Sequence, residues 1–132
     1  MIDPFDLQRF VAAQDPVYPG VLAELRAGCK RSHWMWFVFP QHRALGRSAM
    51  AQRYGLASRA EAAAYGQHPV LGARLVECCG LVLALEHKTA NQIFGSPDDM
   101  KLRSSATLFA RVSPRASVFE ELLTKYFAGR PD

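Results

Sequence analysis

Two stretches of this chain gather side chains that could do chemistry. The first, residues 32–48, reads SHWMWFVFPQHRALGRS and sets Ser32, His33, Trp34 and Trp36 ahead of Gln41, Arg43, Arg47 and Ser48. Guanidiniums grip phosphate oxygens in a fixed fork and an aromatic face stacks on a flat ring. An amide, two guanidiniums, a glycine and a hydroxyl beside aromatic rings therefore suit a phosphate attached to a planar group. The second, residues 95–109, reads GSPDDMKLRSSATLF. On a helix Lys101 and Ser105, four apart, project from one face, with Ser104 and Thr107 as a second polar pair near it. Hydroxyls are mediocre helix formers, so in mid-helix they either let a neighbour approach closely or line a pocket. Asp98 and Asp99 fall in the first turn, where carboxylates complement the helix dipole whether or not they also meet a ligand. The plain alternative is that the rings are core and the arginines solvated.

Other chemistries lack their residues. His33, His42, His68 and His87 include no pair four apart, and Cys78 beside Cys79 cannot chelate as a C-x-x-C does, so no metal site is expected. There is no Walker loop, no G-x-G-x-x-G and no G-x-S-x-G, and no cofactor is implied. The formal charge of +4 invites a nucleic-acid reading, but the basic residues are scattered, without a like-charge block or an arginine-rich tail. That distribution argues against a duplex-binding face and leaves room for a local anion site.

The elements that must position these groups are marked by prolines and glycines. Asp3-Pro4, Ser96-Pro97 and Ser113-Pro114 each place proline after a capping residue and predict a helix start. Tyr18-Pro19 and His68-Pro69 are weaker versions, and Ser58 with Glu61 makes a capping box. Gly28, Gly66, Gly95 and Gly129 sit where helices would close. Between them the spacing is helical: Leu7, Phe10, Val11 and Gln14; Val21, Leu22 and Leu25; Leu71, Leu75, Cys78, Val82 and Leu85; Val118, Leu122, Leu123, Tyr126 and Phe127. No hairpin signal occurs. These marks predict an all-α, compact single-domain bundle of about six or seven helices over residues 1–132. Within the first stretch, Ser32 would cap a short helix with Trp34, Phe37 and Val38 inward, and Pro40 would hold Phe39 extended.

A chain of 132 residues, half of them apolar, suffices for one sizeable core. Its longest apolar run, Leu75 to Leu85, is broken by Glu77 and Gly80 and falls short of a bilayer span. The acidic, proline-containing start is unlike a secretory leader. The odd set Cys29, Cys78 and Cys79 suits small core residues in a reducing compartment, so a cytoplasmic location is expected.

The stretch KRSHWMWFVFPQ, the following LGRSAMAQRYGL, the segment HPVLGARL and the later IFGSPDDMKLRSSATLF together resemble the family known as domain of unknown function 1810, from about Asp3 to Phe127. The resemblance implies a compact multihelical fold and brings no established reaction. Its signature falls on Ser32, His33, Trp34, Trp36, Phe39, Pro40, Gln41, Gly46, Ser48, Tyr54, Asp98, Asp99, Lys101, Ser104 and Ser105. Ala106 departs from the methionine usual in the family, a difference that bears on packing. A calpastatin label borne by some members does not suit this globular composition, since inhibitors of that type are long disordered chains. A distant likeness to NADAR-type N-glycosidases rests on an aromatic-flanked His-Trp or His-Tyr segment before a helical body.

The leading expectation is one pocket where the two stretches meet around a small anionic ligand, such as a nucleotide or an ADP-ribose-like compound. The aromatic rings would stack, Arg43 or Arg47 and Lys101 would meet the anion, and Gln41 and the hydroxyls would orient it. Were the ligand hydrolysed at a glycosidic or phosphoester bond, His33 or Asp99 would be the general acid or base. The rivals are a protein-interaction or homodimer module, and a weak binder of single-stranded nucleic acid.

Overall fold

A computed structural model describes residues 3–113 and 117–131. Among these residues the chain is all-α, with nine α-helices, one 3-10 turn and no strand. The helices are α1 (Gln8–Gln14), α2 (Tyr18–Ala27), α3 (Met35–Val38), α4 (Ala49–Tyr54), α5 (Arg59–Gln67), α6 (Leu71–Ala84), α7 (Ala90–Phe94), α8 (Asp98–Val112) and α9 (Ser117–Phe127), with the 3-10 turn over Arg43–Leu45 between α3 and α4. The all-α bundle is thus as expected, with more and shorter helices than six or seven. The additions are α4, capped by the Ser48 hydroxyl, and α7, opened by a full capping box of Thr89 and Gln92.

Several start and stop marks act differently from the simple rule. Asp3 does not start a helix at Pro4; its carboxylate reaches forward to accept from the N–H groups of Leu7 and Gln8, and α1 begins at Gln8. Pro97 is itself the cap residue of α8, with no side-chain cap bond from Ser96. The weak pair His68-Pro69 works through the ring, since His68 Nδ1 accepts from the N–H groups of Val70 and Leu71. Ser58 accepts from the Glu61 N–H as a capping box requires, but the Glu61 carboxylate turns instead to the Ala57 N–H and to Arg9. Gly28 closes α2 in the left-handed conformation and Gly95 closes α7 at φ 74° and ψ 176°, whereas α5 runs through Gly66 to Gln67. The expected start at Ser113-Pro114 lies partly outside the described residues.

The apolar faces converge on one core. Phe10, Leu25, Leu56, Leu71, Leu75, Leu102 and Leu122 are fully or almost fully buried, and the rings form a continuous series through the middle. Phe10 meets Tyr54 and Tyr65, Tyr65 meets Phe109, and Phe109 stacks on Phe119. Contacts of this kind add about 0.5–1.5 kcal/mol each beyond area burial. Cys78 and Cys79 are buried in this core and Cys29 is half-buried; all are free thiols. Burial pushes the Cys78 thiol up to about 12, so it stays protonated near neutral pH.

Gln14, predicted on the apolar face of α1, is buried for a polar reason. Its amide donates to the Phe37 carbonyl at 2.6 Å and to the Tyr65 hydroxyl at 3.0 Å, and Tyr65 also donates to that carbonyl. The orphan carbonyl at the end of α3 is thereby satisfied from α1 and α5. This fixes the aromatic stretch against the bundle, with Trp34, Met35, Phe37, Val38 and Phe39 all inward. Phe39 leaves α3 towards Pro40 as expected, but at φ −121° and ψ 71° it falls short of the extended backbone predicted for it.

Candidate functional site

Trp36 alone among the aromatic residues of α3 and its flanks is not fully enclosed. Lys101 of α8 holds its ammonium 4.5 Å from the centre of the Trp36 ring, a cation–π distance. An open cleft of about 580 Å³ spreads from this pair, lined by Trp36, Gln41, Gly46, Arg47, Ser48 and Ser104, with Leu45 and Met100 among the residues at its edge. The two stretches singled out in the sequence therefore meet at Gln41, Arg47, Lys101 and Ser104. Among the described residues no aspartate or glutamate is in the lining of the cleft.

The wall opposite α8 is a loop pinned at several points. The Arg43 N–H donates to the Leu56 carbonyl at 2.8 Å, and the Leu56 N–H to the Gln41 carbonyl at 2.9 Å, giving an isolated parallel bridge between His42 and Leu56. His42 Nδ1 accepts from the Ala44 N–H and starts the 3-10 turn. The Gln52 amide donates to the Gly46 carbonyl at 2.8 Å. A Cβ on Gly46 would stand 2.5 Å from the Ala51 Cβ, and one on Gly55 would stand 2.5 Å from the Arg43 Cα. Only glycine lets these segments lie so close, and their closeness shapes the wall.

Electrostatically the cleft is cationic. Asp98 is shared between Lys30 at 2.8 Å and Lys101 at 3.3 Å, so the three groups together keep one positive charge. Lys30 also lies 5.2 Å from the Trp34 ring centre, and its side chain is nearly buried. Asp98 thus anchors Lys101 more than it confronts a ligand. Arg47 is exposed, with no carboxylate in ion-pair range among the described residues.

The other expected residues stand elsewhere. His33 is exposed and does not border the cleft. Ser32 does not cap α3; its hydroxyl donates to Glu24 Oε2 at 2.7 Å. Trp34 is buried, with its indole N–H on Glu24 Oε1 at 3.1 Å. Glu24, which no motif marks, thus collects the Arg31 and Ser32 N–H groups, the Ser32 hydroxyl and the Trp34 indole. Burial alone would raise its carboxyl, but these hydrogen bonds outweigh burial and bring it down to about 2. Asp99 is not in the lining either; it accepts from the Asn91 amide at 3.3 Å. Ser105 is buried on the core side of α8, one residue and about 100° round the helix from Ser104. Tyr54 is buried beside Phe10 and Phe37, and Arg43 is exposed outside the lining. Ser48 borders the cleft while its oxygen caps α4 by accepting from the Ala51 N–H.

A family profile described as "Protein of unknown function (DUF1810)" matches residues 4–132. The chain belongs to this family. No curated protein matches it. Among solved structures it is similar to the crystal structure of the conserved hypothetical protein Rv1873 from Mycobacterium tuberculosis, at 58% sequence identity and a TM-score of 0.97. That match covers 98% of this chain and 93% of the other, so the helical architecture of this DUF1810 protein extends over nearly the whole of both. The resemblance read from the aromatic and DDMKLRSS motifs is confirmed. In this DUF1810 chain those motifs divide their work: Trp36, Gln41, Ser48, Lys101 and Ser104 border a cleft, while Trp34, Phe39, Tyr54 and Ser105 serve the core.

Two further concave regions lie near α8, the first of them lined by the expected Ser104 and Thr107 pair. One adjoins the cleft along α8 and is walled by His42, Leu45, Arg59, Ser104, Thr107, Leu108 and Arg111. The other is an apolar cavity of about 240 Å³ among α5, α6, α8 and α9, with Gly66, Leu75, Val76, Phe109 and Phe119 in its lining. It holds none of the expected site residues.

Proposed function

We propose that this protein binds a small anionic ligand, a phosphate carried on a planar group, in the cleft between the 40–48 loop and α8. One observation carries the reading: Arg47 and Lys101, from segments far apart in sequence, line one cleft with the half-buried Trp36, which Lys101 faces, and no carboxylate is among its described lining residues. In this reading the ligand's flat part lies along the Trp36 face and its phosphate meets the two cations. The Gln41 amide and the Ser104 hydroxyl orient it. No hydrolytic step is proposed, since the candidate acid–base groups His33 and Asp99 are not among the residues lining the cleft.

Thermal denaturation against a panel of nucleoside monophosphates and aryl phosphates tests this. A compound present at 100 times its dissociation constant adds about 2.7 kcal/mol of apparent stability. The rise should appear in the parent protein and be lost in Lys101→Ala and Arg47→Ala. A panel without any shift counts against the reading.

A second reading has one observation in its favour. Leu45 and Met100, 58% and 45% exposed, are both at the cleft's edge and would suit a protein partner or a second copy. Sedimentation of the parent protein and Met100→Glu decides it: a dimer that the charge dissolves supports this reading, and a monomer in both removes the homodimer.

A further inference from the structure

The cleft does not end at Ser104. Lys101 and Ser104 border the first chamber. Ser104, Thr107, Leu108 and Arg111 border the second, of about 400 Å³, whose remaining walls are His42, Leu45 and Arg59. These steps of three and four keep one face of α8, so a single helix floors both chambers. Leu45 and Ser104 belong to both linings and mark where the chambers adjoin.

The charges sit at the two ends. Arg47 and Lys101 are at the first. At the second are Arg59, on the first turn of α5, and Arg111, on the last turn of α8. Both are exposed, and among the described residues no carboxylate lies within ion-pair distance of either. Among the described residues none of those lining the second chamber is acidic. Between the ends the walls are uncharged: Leu45, Ser104, Thr107 and Leu108. The rise of an α-helix, ~1.5 Å per residue, sets the Cα atoms of Lys101 and Arg111 about 15 Å apart along α8.

We propose that the ligand is an elongated bisphosphate. One phosphate meets Arg47 and Lys101, the second meets Arg59 and Arg111 about 15 Å away, and a less polar middle passes Leu45 above Ser104. Two guanidiniums at the far end match the double charge and the oxygen geometry of a phosphate monoester better than the single charge of a carboxylate. A lone phosphate on a small ring would occupy the first chamber and leave this second cationic end unused. The inference rests on the binding proposed above and extends it to a second anchoring point.

Isothermal titration with linear alkane α,ω-bisphosphates, from butane to dodecane, against butyl phosphate as the single-headed control, measures the second anchor. When a linker matches the span, the second contact becomes intramolecular and affinity rises about 100-fold or more over one head alone, falling again for longer linkers. The expected result is such a maximum at an intermediate length, reduced to the butyl phosphate level in Arg59→Ala and Arg111→Ala. Butyl phosphate should keep its Lys101-dependent binding in both variants and lose that component in Lys101→Ala. Bisphosphates no tighter than butyl phosphate at any length overturn the inference, as does a tight bisphosphate that survives loss of both Arg59 and Arg111. If butyl phosphate still binds through Lys101 in that case, the single-anion reading stands alone; if neither class of probe binds, both readings fall.

Discussion

Lys101 is held from two sides, by the Asp98 carboxylate at 3.3 Å and by the Trp36 ring at 4.5 Å. An ammonium over an indole contributes about 0.5–1 kcal/mol where water can reach it, too little to hold the bundle together. Lys101→Ala should therefore leave the fold intact and weaken binding. The loss of ligand-induced stabilisation in this variant reads directly on the cleft. Glu24 behaves differently. Its carboxyl, at about 2 against an ordinary value of 4.5, favours the folded state as the anion. A depressed folded value means that this stabilisation is complete above about pH 4.5 and disappears as pH falls through about 2. Glu24→Gln should therefore be less stable than the parent at neutral pH, with the gap closing between those two values. Chemical denaturation of both proteins across that range measures it; a gap independent of pH contradicts the assigned hydrogen bonds.

At the scale of elements, the loop before α4 owes its place to glycine. A methyl on Gly55 would sit 2.5 Å from both the Arg43 Cα and the Ala51 carbonyl oxygen, backbone atoms that cannot swing aside. Gly55→Ala should cost about 1–3 kcal/mol, as overpacking does, and displace the 3-10 turn, weakening ligand binding along with stability. A variant as stable as the parent, measured by thermal unfolding, would contradict that close approach. Much of this element layout is legible in sequence. The Tyr18-Pro19 and Ser58 starts, the closing glycines Gly28 and Gly95, and the apolar faces of α2, α6 and α9 follow from local rules. The capping box of Thr89 and Gln92 is readable by the same rule as Ser58 and Glu61, and adds α7. Which way α8 turns is not legible. Lys101 pairs with Ser104 by a step of three and with Ser105 by a step of four, and only packing sends Ser105 inward and Ser104 to the cleft. Arg59 and Arg111 also carry no local mark, because what brings them together is the crossing of α5 and α8. Glu24 escapes for a similar reason: a lone acid on α2 looks solvated until the chain from Arg31 to Trp34 folds back onto it.

Over the described residues, most buried aromatic rings form a structural series, while Trp36 is half-open, as are Phe5, Tyr18, Tyr126 and Phe127 nearer the surface. Trp34 packs near Phe39 and Phe94, Phe37 against Tyr54, and the line continues through Phe10 and Tyr65 to Phe109 and Phe119. Trp36 stands apart from that series, with Lys101 on its face. Among the described residues no helix is long and apolar enough to cross a membrane. The cationic cleft and the apolar cavity beside Phe119 offer opposite chemistry to a ligand. Two-dimensional NMR of the labelled protein during titration with phenyl phosphate chooses between them. The account predicts concentration-dependent shifts of the Trp36 indole N–H and of the Gly46, Arg47 and Ser104 amides, all weakened in Lys101→Ala. Shifts confined to Gly66, Val76 and Phe119, or none at millimolar ligand, would contradict it.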